Sequence, residues 1–257
     1  MTMPDYTLKE LMTIAAAREI RDGDIVFCGT GISMVAAMAA KNISAPNSVI
    51  FFETGAIDSL LEEVPLAVSD SRVMFWTSVN GNLADAFAAM QNRITGPHVV
   101  GIMGAAQIDK YGNLNSTAIG DYFKPNVRFS GSGGACDVAS FVGRTITFMQ
   151  HEKRKFVQKL DYITSPGWLD GPDGRKKAGL PAGGPASVIT NMATMGFDET
   201  TKEMYLTGFF PGITPQKILD NMGFEIDVSR AKEVEPPTEY ELQILREKCD
   251  PQRLILG

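Results

Sequence analysis

A single carboxylate at the end of an apolar run is the first feature with chemical content. In Val49-Ile-Phe-Phe-Glu53-Thr-Gly55, four apolar residues lead into one glutamate. If the run is a strand of a parallel sheet, Glu53 lies at its carboxyl end, where ligands bind in open α/β sheets. Burying a carboxylate there costs free energy unless it is paired or used. Glu53 therefore reads either as a salt-bridged or capping strand end, or as a reacting group. The second feature is Phe129-Ser-Gly131-Ser-Gly133-Gly134-Ala135. Glycines let backbone approach a ligand closely, and their amides can receive a phosphate or an oxyanion. The same residues equally suit a tight turn. The loop lacks the Lys-Ser/Thr of a nucleotide-binding P-loop and the spacing of a dinucleotide fingerprint.

Other polar groupings read more plainly. Gly104-Ala-Ala-Gln-Ile-Asp109-Lys-Tyr-Gly-Asn113-Leu-Asn115-Ser116 reads as a polar turn, and His151-Glu-Lys-Arg-Lys155 as a solvated charge cluster. Arg72, Arg93 and Arg128 are carboxylate partners by residue type alone. The chain has 3 cysteines and 2 histidines, with no Cys-x-x-Cys and no His-x-x-x-His, so no metal site is expected. There is no Gly-x-Ser-x-Gly elbow.

These residues need elements to hold them. Thr7-Leu-Lys-Glu10 is a capping box opening a helix that Asp22-Gly-Asp24 stops. A short strand Ile25-Val-Phe-Cys28, the turn Gly29-Thr-Gly31, a small-residue helix over 33–41 and the strand Val49-Ile-Phe-Phe-Glu53 form a βαβ unit. That unit implies a parallel sheet with right-handed crossovers. Further strands are expected over 72–77, 98–103, 144–150 and 160–164, and a helix capped by Asn82 runs to Met90. Residues 165–186 are dense in Gly and Pro and read as a long loop. Antiparallel strands follow over 187–193, 196–197 and 204–210. Thr214-Pro215 starts a helix that Gly223 ends, and Thr238-Glu-Tyr-Glu241 opens a last one to about Cys249. The fold expected is an open, mostly parallel sheet flanked by helices, with later antiparallel strands. All of 1–257 is read as one domain.

Composition narrows the function classes. With 257 residues, 44% hydrophobic and 21% charged, the chain is an ordinary globular protein rather than a disordered or coiled-coil one. A net charge of −6 argues against a nucleic-acid partner. The start Met1-Thr-Met-Pro-Asp-Tyr6 lacks a signal pattern, and no apolar stretch suffices to span a bilayer. Sparse, odd-numbered cysteines fit a reducing compartment. A cytoplasmic enzyme or enzyme subunit is expected.

Taken in order, the motifs resemble the β subunits of family I coenzyme A transferases, and the glutaconate branch most closely. The likeness runs through Glu53-Thr-Gly55, 104–116, Ile119-Gly-Asp-Tyr122, 129–135, Met149-Gln-His-Glu-Lys-Arg154, Asp161-Tyr-Ile-Thr-Ser-Pro-Gly-Trp168 and Gly223-Phe-Glu-Ile-Asp-Val-Ser229. It implies a coenzyme A transferase-like fold with Glu53 as the catalytic glutamate. Gly131, Gly133, Gly134 and Ala135 become the oxyanion and CoA-binding loop. The chain is then expected to move CoA from an acyl-CoA to a carboxylic acid, a dicarboxylic one by the same likeness. The route is ping-pong, through a glutamyl-CoA thioester. CoA is a substrate, no cofactor stays bound, and an α subunit completes the enzyme. Two departures are Thr54, where relatives carry serine, and Ala105, where they often carry glycine, so that an extra methyl reaches the pocket floor. An acyl-CoA decarboxylase or hydrolase on the same fold, or a non-catalytic CoA-binding subunit, remain the other readings. The presence of Glu53 favours transfer over both.

Overall fold

The computed structural model describes residues 6–257. The expectation about the signal pattern rests mainly on residues 1–5, which lie outside that span. The chain divides into two compact units, Met1–Ile102 with Glu235–Gly257, and Met103–Val234.

In the first unit the βαβ expectation is met. Strand β1 (Ile25–Phe27) lies parallel to β2 (Val49–Phe51), with Ile25 opposite Val49. Two helices, α1 (Leu8–Ala17) and α2 (Ile32–Ile43), cover it. The inner face of α2 is built from Ala36, Ala37, Ala39 and Ala40, all buried, which lets α1 approach closely. From β2 the chain turns back into β3 (Ala56–Ile57), antiparallel to it, and β3 pairs in turn with β4 (Val79–Asn80). Helix α3 (Leu83–Gln91) follows, capped by Asn82 and Asp85 in a reciprocal box. Strand β5 (Val99–Gly104) lies on the other side of β1 and parallel to it, giving the order β5-β1-β2-β3-β4.

In the second unit, two small antiparallel pairs come first. These are β6 (Gln107–Ile108) with β7 (Leu114–Asn115), and β8 (Ala118–Gly120) with β9 (Pro125–Arg128). Helix α4 (Ala135–Phe141) leads into β10 (Arg144–Met149). That strand is parallel to β11 (Pro185–Thr190), which continues antiparallel through β12 (Ala193–Phe197) and β13 (Met204–Phe209). A short β14 (Lys232–Glu233) closes the edge, parallel to β13. The mostly parallel sheet with flanking helices and later antiparallel strands is the fold the sequence implies.

Two expected strands are absent. Residues 72–77 begin instead as a 3-10 turn, Ser71–Met74, because the Asp70 carboxylate accepts the Arg72 amide and winds the chain at that point. Residues 160–164 form no strand: the nearest pairing is a single bridge just beyond them, Leu114 opposite Ser165, and the Thr164 and Ser165 amides converge on one carbonyl of Leu114. The long loop carries one helical turn, Gly174–Lys177. Arg175 on that turn is buried and donates to the carbonyls of Ala139 and Ser140 at 3.0 and 2.9 Å.

The termini are fastened by charge. Glu10 caps α1 by accepting the Thr7 amide at 2.7 Å and is gripped by Arg246 at 2.6 Å. Arg18 at the other end of α1 meets Glu241 with two bonds of 2.9 and 2.7 Å. Burial alone would raise the Glu10 carboxyl, but Arg246 and the Thr7 amide outweigh it and hold it below the ordinary glutamate range. A lowered native pKa means the stabilisation is complete above the unfolded value and is lost as pH falls through the native one. Glu10→Gln is expected to lower the unfolding free energy by about 1.5–3 kcal/mol near pH 6, the usual worth of hydrogen bonds to a charged group. Urea melts of both forms at pH 6 and pH 3 check this: the gap should shrink at the lower pH.

Candidate active site

Glu53 does not end the strand; it stands two residues beyond Phe51, in the turn that sends β2 back into β3. The Gly55 amide donates to the Phe52 carbonyl at 3.0 Å, and the Phe52 amide donates to Ala56 at 3.0 Å. Glu53 and Thr54 are therefore the two central residues of a closed four-residue turn. Gly55 has φ +98°, a conformation that L side chains rarely adopt. A Cβ at Gly55 would run into the carbonyl of Gly81 and the amide of Asn82, and the Gly81 amide donates back to the Gly55 carbonyl at 2.8 Å. Beneath the turn, Phe51 and Phe52 are fully buried. Glu53 itself is half-buried, and no hydrogen bond or ion pair reaches its carboxylate from the described residues. The capping and salt-bridge readings of Glu53 thus find no partner among the described residues.

The glycine loop lies in the second unit, between β9 and α4. Ser116 pins it twice: its carbonyl accepts the Gly131 amide at 3.1 Å and its hydroxyl donates to the Gly131 carbonyl at 3.0 Å. Ser132 then opens α4, accepting the Ala135 amide on its carbonyl at 2.9 Å and the Cys136 amide on its hydroxyl at 3.0 Å. Of the four loop residues singled out in the sequence, Gly131 and Ala135 have their amides spent inside the chain. The amides of Gly133 and Gly134 have no acceptor among the described residues. Gly133 is exposed with φ +49°, and nothing lies within 4 Å of where its Cβ would be. Ser116 and Ser132 were not singled out in the sequence. The signal for Ser132 was there, a hydroxyl four residues before Cys136 at the mouth of a helix.

The 104–116 run is a scaffold, as its turn-like composition suggested. Asp109 accepts the amides of Tyr111 and Asn113, both at 3.0 Å, and the Asn113 side chain at 2.8 Å. Burial nonetheless pushes its carboxyl up. Asn113 in turn accepts the Gly167 and Leu169 amides at 2.8 and 3.1 Å and so tethers the start of the long loop. Ala105 and Ala106, with Gln107, Ile119, Phe129 and Lys155, line a cleft of about 540 Å³ within the second unit. Ala105 thus lies on the wall of this cleft. His151 departs from the surface cluster around it. It is buried between Thr190 and the Ile218 carbonyl, at 3.2 and 3.1 Å, and burial lowers its pKa. Arg72 is engaged by Asp70 and Glu63, and Arg128 lies over the Tyr122 ring, so neither is an idle carboxylate receptor. Arg93 is exposed. Among the described residues no cluster of His, Cys, Asp or Glu is arranged to hold a metal. No helix among them is long and apolar enough to cross a membrane.

Comparison with known proteins places this geometry in a context. The family model for coenzyme A transferases matches residues 9–221. The chain is 43% identical to the B-type subunit of glutaconate CoA-transferase from Acidaminococcus fermentans, over 98% of this chain and 96% of that one. It is 36% identical to the B-type subunit of 3-oxoadipate CoA-transferase from Pseudomonas knackmussii, over 95% and 94% of the two chains. The crystal structure of glutaconate coenzyme A-transferase from Acidaminococcus fermentans superposes with a TM-score of 0.95 at 41% identity, covering 99% of each chain.

If the Gly55–Gly81 contact fixes the Glu53 turn, two alanine substitutions should differ. Gly31 also has positive φ, +80°, but nothing lies within 4 Å of its Cβ position. Gly31→Ala should cost about 1–3 kcal/mol, the backbone penalty alone. Gly55→Ala should cost clearly more by urea denaturation, since backbone atoms must also give way. Equal costs would mean that the contact does not hold the turn.

Proposed function

The chain belongs to the coenzyme A transferase family, and we propose that Glu53 is the nucleophile with which it moves CoA from an acyl-CoA to a carboxylic acid. The observation that carries this reading is the half-buried, unpartnered carboxylate on a turn closed by backbone bonds. Transfer conserves the energy of the thioester, so the reaction must run through covalent bonds rather than through water.

The Glu53 carboxylate attacks the thioester carbonyl of the donor, expelling CoA thiolate and leaving a mixed anhydride. The thiolate attacks the Glu53 carbonyl carbon, the first acid departs as carboxylate, and a glutamyl-CoA thioester remains. An incoming carboxylate attacks that thioester, restoring an anhydride and free thiolate. The thiolate then attacks the new acyl carbon, which releases the product acyl-CoA and regenerates the Glu53 carboxylate, one of its oxygens now drawn from the acceptor acid in place of the one lost to the first acid. Every bond broken is replaced, and no proton or electron is consumed. Attack on an acyl carbon places negative charge on its oxygen. The unspent amides of Gly133 and Gly134 are the donors we assign to it, with Gly131 and Ala135 holding the loop in shape. Such a donor is worth about 2.7–4 kcal/mol at the transition state. The long body of CoA supplies remote binding energy that can be spent at the reacting carbon.

The relatives are B subunits, and this chain is likewise one half of a heteromer, completed by an α subunit. Glutaconate and 3-oxoadipate are both dicarboxylates, and we assign the acceptor acid to that class. CoA is a substrate, and we assign no permanently bound cofactor. The whole of 1–257 is proposed as one functional domain, because the family match runs from 9 to 221, through parts of both units. Three unpaired thiols, Cys28, Cys136 and Cys249, suit the reducing cytoplasm proposed as its location.

Initial rates of the enzyme reconstituted with its α subunit should give parallel double-reciprocal lines for acyl-CoA and acid, and the isolated chain should be folded but inactive. Glu53→Gln should abolish transfer, apart from any slow return by deamidation. Glu53→Asp should lose about 10²-fold, since it withdraws the carboxylate by roughly 1 Å. Intersecting lines, or transfer by Glu53→Ala at the normal rate, would contradict the assignment. Turnover without any acceptor acid would mark a hydrolase or decarboxylase instead.

A further inference from the structure

Four buried side-chain polar atoms lack a hydrogen-bond partner among the described residues: Thr54 Oγ1, Trp168 Nε1, Arg175 Nε and Ser187 Oγ. Three belong to the second unit. The fourth, the Thr54 hydroxyl, directly follows Glu53 in the turn closed by the Gly55 and Phe52 backbone bonds. A buried hydroxyl without a partner forfeits the hydrogen bonds that water would give it, and valine would fill the same volume without that loss. Such an atom calls for a reason.

The reaction itself offers one, provided Glu53 is the nucleophile as assigned above. Four attacks take place, and they fall on two kinds of carbon. Two fall on acyl carbons of the substrates. The other two fall on Cδ of Glu53: when the CoA thiolate displaces the first acid from the anhydride, and when the incoming acid displaces CoA thiolate from the glutamyl thioester. In both of these the negative charge develops on the side-chain oxygen of Glu53. That oxygen stays attached to this chain throughout, so one donor carried on the same turn can serve both steps.

We propose that Thr54 is a catalytic residue whose hydroxyl donates to the Glu53 oxygen in those two steps. Around the free carboxylate the hydroxyl is idle. Once Glu53 is acylated, a change of Thr54 rotamer turns the O–H onto the glutamyl oxygen as charge builds there. Burial of Oγ1 keeps water from competing for the bond and strengthens it. The glycine-loop amides and the Thr54 hydroxyl would then serve different oxyanions in one cycle.

The assembled enzyme carrying Thr54→Val, Thr54→Ala or Thr54→Ser tests this. Valine keeps the shape and removes the hydroxyl; alanine removes it with less crowding; serine restores it. Val and Ala should each lower kcat by about 10²–10³-fold, as loss of one oxyanion donor does. KM for acyl-CoA should move only a few-fold, and the Thr54→Val Tm should be unchanged or higher. Serine should recover most of the rate. Wild-type kcat in either hydroxyl-free variant, or a serine variant as slow as alanine, would overturn the proposal. So would a loss of rate that tracks a loss of Tm. Its failure is separable from failure of the nucleophile assignment: if Glu53→Gln is dead while Thr54→Val is fully active, only the role of Thr54 falls.

Discussion

Gly55 meets the backbone of Gly81 with no side chain between them, and the position of the Glu53 carboxylate depends on that contact. A Cβ on Gly55 would overlap the Gly81 carbonyl and the Asn82 amide. Without one, the Gly81 amide can donate to the Gly55 carbonyl at 2.8 Å, and the segment between β4 and α3 locks the turn after β2. The consequence is electrostatic as well as geometric. The turn is held by backbone bonds alone, so the Glu53 side chain is not needed to hold it. A glutamate that capped a helix or paired with an arginine would have its charge stabilised and its nucleophilicity reduced. Glu10 and Glu241 on the same unit show that alternative: each is bound by an arginine and a capping threonine, and each is held below the ordinary glutamate range despite partial burial.

The second unit follows the same logic with donors in place of an acceptor. Ser116 and Ser132 satisfy the amides at the two edges of the glycine loop and leave those of Gly133 and Gly134 open. Behind the loop, Asp109, Asn113 and Asn115 spend their polar atoms on one another and on the backbone of the neighbouring segments. The polar residues closest to each other in sequence are thus the ones that build the frame. The groups to which we assign chemistry are ones left without a partner among the described residues: the Glu53 carboxylate, the Gly133 and Gly134 amides and the Thr54 hydroxyl.

Much of this was legible in the sequence because it is local. Both threonine capping boxes, the β1–α2–β2 unit and the Asn82 cap depend on residues within a few positions of one another, and they appear where expected. Glu53 stood out because a charge after four apolar residues breaks a pattern. What the sequence hid depends on distant partners. The stretch 160–164 has strand-like composition, but the Asp161 amide goes to the Gln107 side chain and the Thr164 amide to the Leu114 carbonyl, each some fifty residues upstream, instead of into a ladder. The 3-10 turn at Ser71–Met74 follows from one Asp70 side chain, a cap that the apolar residues after it mask in the sequence. Which glycine amides are free could not be read at all, since Ser116 lies far from the loop it pins.

The central claim is that CoA passes through a covalent bond to Glu53. The most direct test incubates the assembled enzyme with an acyl-CoA donor and no acceptor acid, then maps the modified peptides by mass spectrometry. The account predicts that the peptide containing position 53 gains the mass of CoA less water, and that borohydride converts Glu53 to the corresponding alcohol and kills activity. An adduct on a different residue, or an active enzyme that never carries one, would contradict it.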